Sequence, residues 1–251
     1  MTIAKSEAKS DAKSDAPSDA TEHLQFYDLV TADGVPLSPW CWHVKMAMAH
    51  KGITPQTLAL TFTEKDQVIA AGGKSFPLLV DGQGQVFDDS RLILTHLEAL
   101  QPDPTLFPGG DAGWASFNFI HRYAQTILFP TLIKMILVDI PNVLTPEDRD
   151  YFIASREKRF GMSLEDFCRN RGDLRPQLSH QFDPFRKAMM ANGYIAGKAP
   201  AMADYTLFGL LQWARVTSPF QLYEEDDAIL PWMEDMLDRF DGLGRKAAAC
   251  A

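Results

Sequence analysis

Between Ser75 and Leu100 the chain carries a strand, a tight loop, a second strand and a capped helix with nothing between them. That unit limits the fold more than any other stretch. Ser75-Phe76-Pro77-Leu78-Leu79-Val80 is a short apolar run whose proline has no N–H to give to a sheet ladder, so Pro77 belongs at a strand start or edge. Asp81-Gly82-Gln83-Gly84 reads as a hairpin loop. Residues 85–87 return as a second strand and lead into a helix capped by Asp89 or Ser90, with Leu92, Ile93, His96, Leu97 and Leu100 at helical spacing. The unit offers a bare backbone edge beside Pro77 and an anion-attracting helix N-terminus at Ser90, both usable by a small peptide with a carboxylate. A proline turn and an ordinary cap explain the same residues equally well.

Three elements precede this unit in strand, helix, strand order. Residues 24–30 (Leu-Gln-Phe-Tyr-Asp-Leu-Val) form a strand candidate, followed by a loop with Asp33-Gly34 and Pro36. Ser38 stands as an N-cap with Pro39 at the first helical position, and Gly52 ends the helix after Lys51. Its buried stripe reads as Trp40, Val44, Ala47 and Met48. Residues 57–62 alternate as a strand, and residues 64–71 form a short helix closed by Gly72-Gly73. The order βαβαββα requires a parallel pair with a right-handed crossover and an antiparallel hairpin added to the same sheet.

After Gln101-Pro102-Asp103-Pro104 the character changes, and no convincing strand follows residue 111. Residues 112–138 are a long apolar helical stretch that Pro130 should kink or split. Thr145-Pro146-Glu147-Asp148 is a strong helix start, and Phe152, Arg156, Phe160, Ser163, Leu164 and Phe167 read as its continuation. Phe182, Phe185, Arg186 and Met189 mark another helix ending at Gly193, and residues 204–216 and 228–240 two more. The expected class is α/β plus all-α: residues 1–23 a disordered tail of repeated Lys-Ser-Asp-Ala character, 24–101 one domain, and 110–245 an all-helical domain.

With 251 residues the chain can hold two domains with real cores. A formal net charge of −9 argues against nucleic acid or an anionic membrane as partner. Three cysteines, Cys41, Cys168 and Cys250, are far apart and odd in number, which fits neither a disulfide framework nor a metal site and suits a reducing cytoplasm. The tail has no apolar stretch of the kind a signal peptide needs.

A βαβαββα unit with a proline opening its third strand resembles the thioredoxin fold, and with an all-helical domain behind it the chain resembles a glutathione transferase. Phe76-Pro77 resembles that family's cis-proline, and Asp89-Ser90 its acidic-Ser pair that holds the γ-glutamyl end of glutathione. Ala201-Met202-Ala203-Asp204 resembles the N-capping box of the helical domain, with Ala201 where the family has Ser or Thr. A narrower resemblance, to the bacterial glutathione-dependent β-etherases, rests on several motifs. They are Leu37-Ser38-Pro39-Trp40 with Trp42, His50-Lys51-Gly52, Pro146-Glu147-Asp148-Arg149-Asp150-Tyr151, Ser155-Arg156-Glu157, Ala203-Asp204-Tyr205-Thr206 and Phe240-Asp241-Gly242-Leu243-Gly244-Arg245. It runs from about residue 24 to 245. It implies glutathione as co-substrate, cleavage of β-aryl ethers of lignin-derived aromatic ketones, and a homodimer. It also implies Ser38 as the catalytic residue, Trp40, Phe76, Pro77, Asp89 and Ser90 as glutathione-binding residues, and Asp204 as a structural residue; the six histidines form no metal spacing, so no metal is expected.

An ordinary thiol titrates near pH 8.5, so free glutathione is mostly unreactive thiol at neutral pH. A hydroxyl donor at a helix N-terminus lowers such a pKa, and Ser38 before Pro39 has that position. A plain N-cap explains Ser38 too, and its lone pairs can accept from the backbone while its proton goes to sulfur. Cys41 falls at the resolving position of a Cys-Pro-Tyr-Cys-like spacing whose first cysteine is here Ser38, and reads as a buried, inert thiol. Phe117, Phe119, Tyr123 and Phe129 read as helix core, with a minority lining an apolar pocket. The alternatives are transfer to other electrophiles such as aryl halides and epoxides, or a non-catalytic protein that binds glutathione or a protein partner.

Overall fold

The computed structural model describes residues 23–250, so the expectation of a disordered tail lies, apart from His23, outside the described residues. The first half runs β1 (Gln25–Leu29), α1 (Pro39–His50), β2 (Gln56–Leu60), α2 (Lys65–Ala70), β3 (Leu78–Val80), β4 (Val86–Phe87) and α3 (Ser90–Leu100). The four strands make one mixed sheet in the order β2-β1-β3-β4. β1 and β2 pair in parallel from Gln25↔Gln56 to Leu29↔Leu60, while β3 pairs antiparallel to β1 (Phe26↔Leu79) and β4 antiparallel to β3. Side-chain alternation then sorts the faces. Phe26, Leu79 and Phe87 join the main core, whereas Tyr27, Leu60 and Leu78 pack on Val68 of α2 on the opposite face.

The second half is helical: α4 (Asp111–Tyr123), α5 (Phe129–Ile136), α6 (Pro146–Phe160), α7 (Leu164–Cys168), α8 (Arg175–Asn192), α9 (Met202–Thr217) and α10 (Ile229–Gly242). The architecture is therefore the expected one, a small sheet domain followed by an all-helical domain. One continuous core runs through both, and α1 packs most extensively against α9. The close approach depends on Gly209, where an added Cβ would lie 2.5 Å from the Pro39 carbonyl oxygen. Asp148, fully buried at the start of α6, accepts from the Thr63 N–H at 2.7 Å and so holds the helical half against the loop after β2. The Lys51 amine, also buried, donates to the carbonyls of Gln101 (2.6 Å) and Pro102 (3.2 Å) and pairs with Glu98, which anchors the connection between the halves.

Three expectations need correction. Trp40 is only half-buried, and the covered surface of α1 is not a stripe: Cys41, Trp42, His43, Val44, Met46, Ala47 and Met48 are all buried. A helix caught between a sheet and a second helix is covered on most of its circumference, which erases the amphipathic signal. The helix beginning at Pro146 does not continue through Phe167. It ends at Gly161, in the left-handed region at φ 72°, and Ser163 caps a separate α7 by accepting from Asp166 N. As expected, the long stretch is divided at Pro130: a π-helical turn over Ala124–Leu128 separates α4 from α5, and the proline stands in the first turn of α5, where its missing N–H is tolerated. Phe119 is not core but 72% exposed.

At α9 the capping arrangement is half made. Ala201 has no side-chain acceptor, but the Asp204 carboxylate accepts from Ala201 N (3.2 Å), Ile195 N (2.9 Å), Ala196 N (3.0 Å) and the Trp232 indole (3.1 Å).

Candidate functional site

The Ser38 backbone is extended (φ −77°, ψ 129°), and its Oγ accepts from Cys41 N at 3.3 Å, an N-cap bond. Pro39 occupies the first helical position and has no N–H to satisfy. Cys41 N is taken by Ser38 and Trp42 N by the Ser38 carbonyl. Among the described residues nothing accepts from the Trp40 N–H, which is left as a free donor beside Ser38 at the positive end of α1. The hydroxyl proton of Ser38 is not needed for the cap, since the cap uses only a lone pair.

Ser38 and Trp40 open onto a cavity of about 160 Å³ between the two halves, comparable to the roughly 150 Å³ apolar cavity that takes up a benzene ring. Besides the segment around Ser38, its walls include Phe62 after β2, Phe129 and Ile133 on α5, Phe152, Arg156, Arg159 and Phe160 on α6, and Trp213 on α9. Phe129 and Trp213 stack at 5.2 Å between centroids with 14° between planes, and Phe62 lies 5.4 Å from Phe152. The Trp40 ring meets Phe129 at 6.1 Å and the His121 ring at 5.4 Å between centroids. Rigid aromatic walls around a few polar groups are the usual make-up of a small-molecule site.

The remaining predicted site residues lie outside this cavity. The Phe76–Pro77 peptide bond is cis, as the resemblance implied, and both residues precede the ladder, which begins at Leu78. Asp89 is the N-cap of α3, its Oδ1 accepting from Arg91 N (2.9 Å) and Leu92 N (3.3 Å), so Ser90 is the first helical residue. Asp204 lies at neither place. It is fully buried and holds together the start of α9, the turn at Ile195–Ala196 and α10.

Burial decides the titration of the groups around Ser38. It pushes the Cys41 thiol well above its ordinary pKa, with the Asp28 carboxylate adding to the effect, so Cys41 stays protonated and inert. Burial also holds His43 well below the usual imidazole value and takes His121 down to about 4. Neither ring of this pair has a hydrogen-bond partner, and their centroids are 5.4 Å apart. Both are neutral packing groups behind Trp40.

Phe62 and Trp213 were missed as site residues from the sequence, and Phe129, Phe152, Arg156 and Phe160 were noticed without their place in the cavity. The spacing Phe152, Arg156, Phe160 puts a phenyl, a guanidinium and a phenyl on one face of α6, and that was the one available signal. Nothing local ties that face to Phe62 or Trp213.

Comparison with known proteins bears on most of the chain. A relative among curated proteins, the glutathione S-transferase-like protein ustS of Aspergillus flavus, is 26% identical over 147 residues, which is 50% of this chain and 49% of the relative. The match thus spans about half the length of that curated relative. Two solved structures superpose over most of the chain. One is a glutathione S-transferase of Ceriporiopsis subvermispora in complex with glutathione, with TM-score 0.68 and 24% identity, covering 90% of this chain and 95% of that one. The other is glutathione transferase GSTFuA2 of Phanerochaete chrysosporium, with TM-score 0.66 and 25% identity over the same shares. The family model described as "Glutathione S-transferase, N-terminal domain" matches residues 34–105, and that described as "Glutathione S-transferase, C-terminal domain" matches residues 115–241. With both domain models matched in order and the fold shared, the chain belongs to the glutathione S-transferase family.

Proposed function

We propose that the protein is a glutathione-dependent β-etherase, which cleaves β-aryl ether bonds of lignin-derived aromatic ketones. In this reading residues 24–101 bind glutathione and residues 110–245 bind the aromatic partner. Phe76 and Pro77 offer backbone to the peptide, Asp89 and Ser90 take its γ-glutamyl end, and Trp40 borders the sulfur. Ser38 stabilises the thiolate by donating its hydroxyl proton while it caps α1, and the free Trp40 N–H adds a second donor. The sulfur attacks the carbon that bears the aryl ether, next to the ketone. A carbon–sulfur bond forms as the carbon–oxygen bond breaks, and the phenolate leaves and takes a proton from water. The neighbouring carbonyl accelerates displacement at that carbon, so the site has mainly to hold the two partners in line. As the resemblance implies, the protein would act as a cytoplasmic homodimer.

The observation that carries this reading is the aromatic cavity with Ser38 at its edge, large enough for an aryl ring and lined by Phe129, Phe152, Phe160 and Trp213. The relative from Ceriporiopsis subvermispora crystallised with glutathione supports the co-substrate. Incubation with glutathione and a β-aryl ether ketone should release the free phenol and leave a thioether of the ketone. Conjugation of a chlorinated nitroarene without any phenol release would instead make the protein a transferase for other electrophiles.

A further inference from the structure

The whole chain is acidic, with a formal charge of −9, yet the cavity beside Ser38 is lined by two arginines, Arg156 and Arg159, and by no carboxylate. Arg156 is half-buried. Its guanidinium carbon lies 4.3 Å from the Phe152 ring centroid and 5.2 Å from that of Phe62, so the cation is held between two aromatic faces. Its one hydrogen bond runs from Nη1 to the Ser155 hydroxyl at 2.8 Å. Among the described residues no acid lies within ion-pair distance of Arg156 or Arg159. Arg171, Arg186, Arg239 and Arg245 by contrast each have a carboxylate partner. Arg215, also half-buried and without an acid, spends its guanidinium on the Ala247 carbonyl.

A guanidinium carries five donors in a planar fork suited to a carboxylate, and withdrawing it from water without a counter-charge is costly. Burial works against the Arg156 charge here, with the neighbouring Arg159 adding to the effect. A fold that keeps such a group on a cavity wall has an unmet need for an anion at that point. Packing on Phe62 and Phe152 alone would be served by an uncharged side chain.

We propose that Arg156, assisted by Arg159, selects aromatic substrates that carry an anionic oxygen, a carboxylate on the ring being the strongest case. The aryl ring sits among Phe62, Phe152 and Phe160, with its acid group on the Arg156 fork and its electrophilic carbon towards Ser38. The inference rests on the reading of this cavity as the electrophile's site. It does not depend on the bond cleaved being an ether.

The test uses two electrophiles of the same ring skeleton, 4-chloro-3,5-dinitrobenzoate and its methyl ester, with glutathione as co-substrate, and each kcat/KM is divided by the uncatalysed rate constant because the ester group activates the ring more than the carboxylate does. Wild type should favour the acid in kcat/KM. Arg156→Gln should lower the value for the acid roughly 10- to 100-fold more than that for the ester, the loss of a charge-assisted hydrogen-bonded pair. Arg156→Lys should retain part of the preference. Quenching of tryptophan fluorescence from Trp40 and Trp213 gives the affinity for each compound without turnover, so a slow reaction does not hide the result.

Equal handling of acid and ester by wild type would overturn the proposal. So would an Arg156→Gln loss shared by both compounds, which would make Arg156 a packing residue. A loss confined to glutathione affinity would overturn it too, assigning the guanidinium to a carboxylate of the peptide. Phenol release from β-aryl ether ketones is scored separately. Its absence with the acid preference intact would remove the ether reading and keep this one.

Discussion

Replacing Asp204 with alanine should destabilise the protein strongly while leaving the chemistry of the cavity in place. The carboxylate accepts from Ile195 N, Ala196 N, Ala201 N and the Trp232 indole, at 2.9, 3.0, 3.2 and 3.1 Å, and it is fully buried. Alanine leaves all of these donors without a partner. At about 1–3 kcal/mol for each unsatisfied buried donor, the simple sum is an upper bound, since the turn at Ile195–Ala196 can relax towards water. A net loss of about 3–5 kcal/mol remains, a large part of the roughly 5–15 kcal/mol that holds a folded protein together. Asp204→Asn should fall between, because one oxygen still accepts while the amide group meets N–H donors. Urea titration followed by circular dichroism reads the loss as a lower midpoint. In the folded fraction at low temperature, KM for glutathione should match wild type, because Asp204 lies outside the cavity. A loss below about 1 kcal/mol for Asp204→Ala would refute the claim that this carboxylate ties α9, α10 and the preceding turn together.

Two further outcomes are expected. Ser90→Ala should weaken glutathione binding by about 1–3 kcal/mol, one hydrogen bond to a charged group, and calorimetry showing unchanged affinity would reduce Asp89-Ser90 to a helix cap. His121 is held neutral down to about pH 4 by burial, with Arg91 and Arg122 adding to it, against an ordinary value of 6.5. The unfolded chain therefore takes up a proton that the folded one refuses. The stability is fully present above about pH 6.5 and is lost as pH falls towards 4, by about 3 kcal/mol at the low end. His121→Phe should flatten that part of the stability–pH curve, and an unchanged slope would show that His121 is protonated in the fold.

The fold was legible where local chemistry is enough. Ser38-Pro39 and Thr145-Pro146-Glu147-Asp148 mark helix starts because a capping oxygen, a proline and acidic residues each act within one turn. Pro77 and Asp81-Gly82-Gln83-Gly84 mark strand and hairpin for equally local reasons. Legibility failed where a distant partner decides. The aromatic periodicity runs straight from Phe160 to Phe167 and hides the break at Gly161, although those two rings do stack at 4.2 Å across it. Trp40 has the spacing of a core residue and faces the cavity because α5 and α9 approach there. The cavity itself was the least legible part, since Phe62, Phe152 and Trp213 meet only after the two halves pack. The capping position of Ser38 could be read, but its neighbourhood of aromatics and unpaired arginines could not.

The account turns on whether the Ser38 hydroxyl activates a bound thiol, and the direct measurement is the pKa of glutathione in its complex, from the ultraviolet absorbance of the thiolate, for wild type and Ser38→Ala. The account predicts a higher thiol pKa in Ser38→Ala and slower turnover at neutral pH, a penalty of about 1–3 kcal/mol because the Trp40 N–H and the α1 N-terminus remain. Part of the rate should return at higher pH. Loss of the cap alone would cost about 1 kcal/mol of stability without moving the titration of the ligand. An unchanged thiol pKa together with an unchanged rate would contradict the account and leave Ser38 as the N-cap of α1.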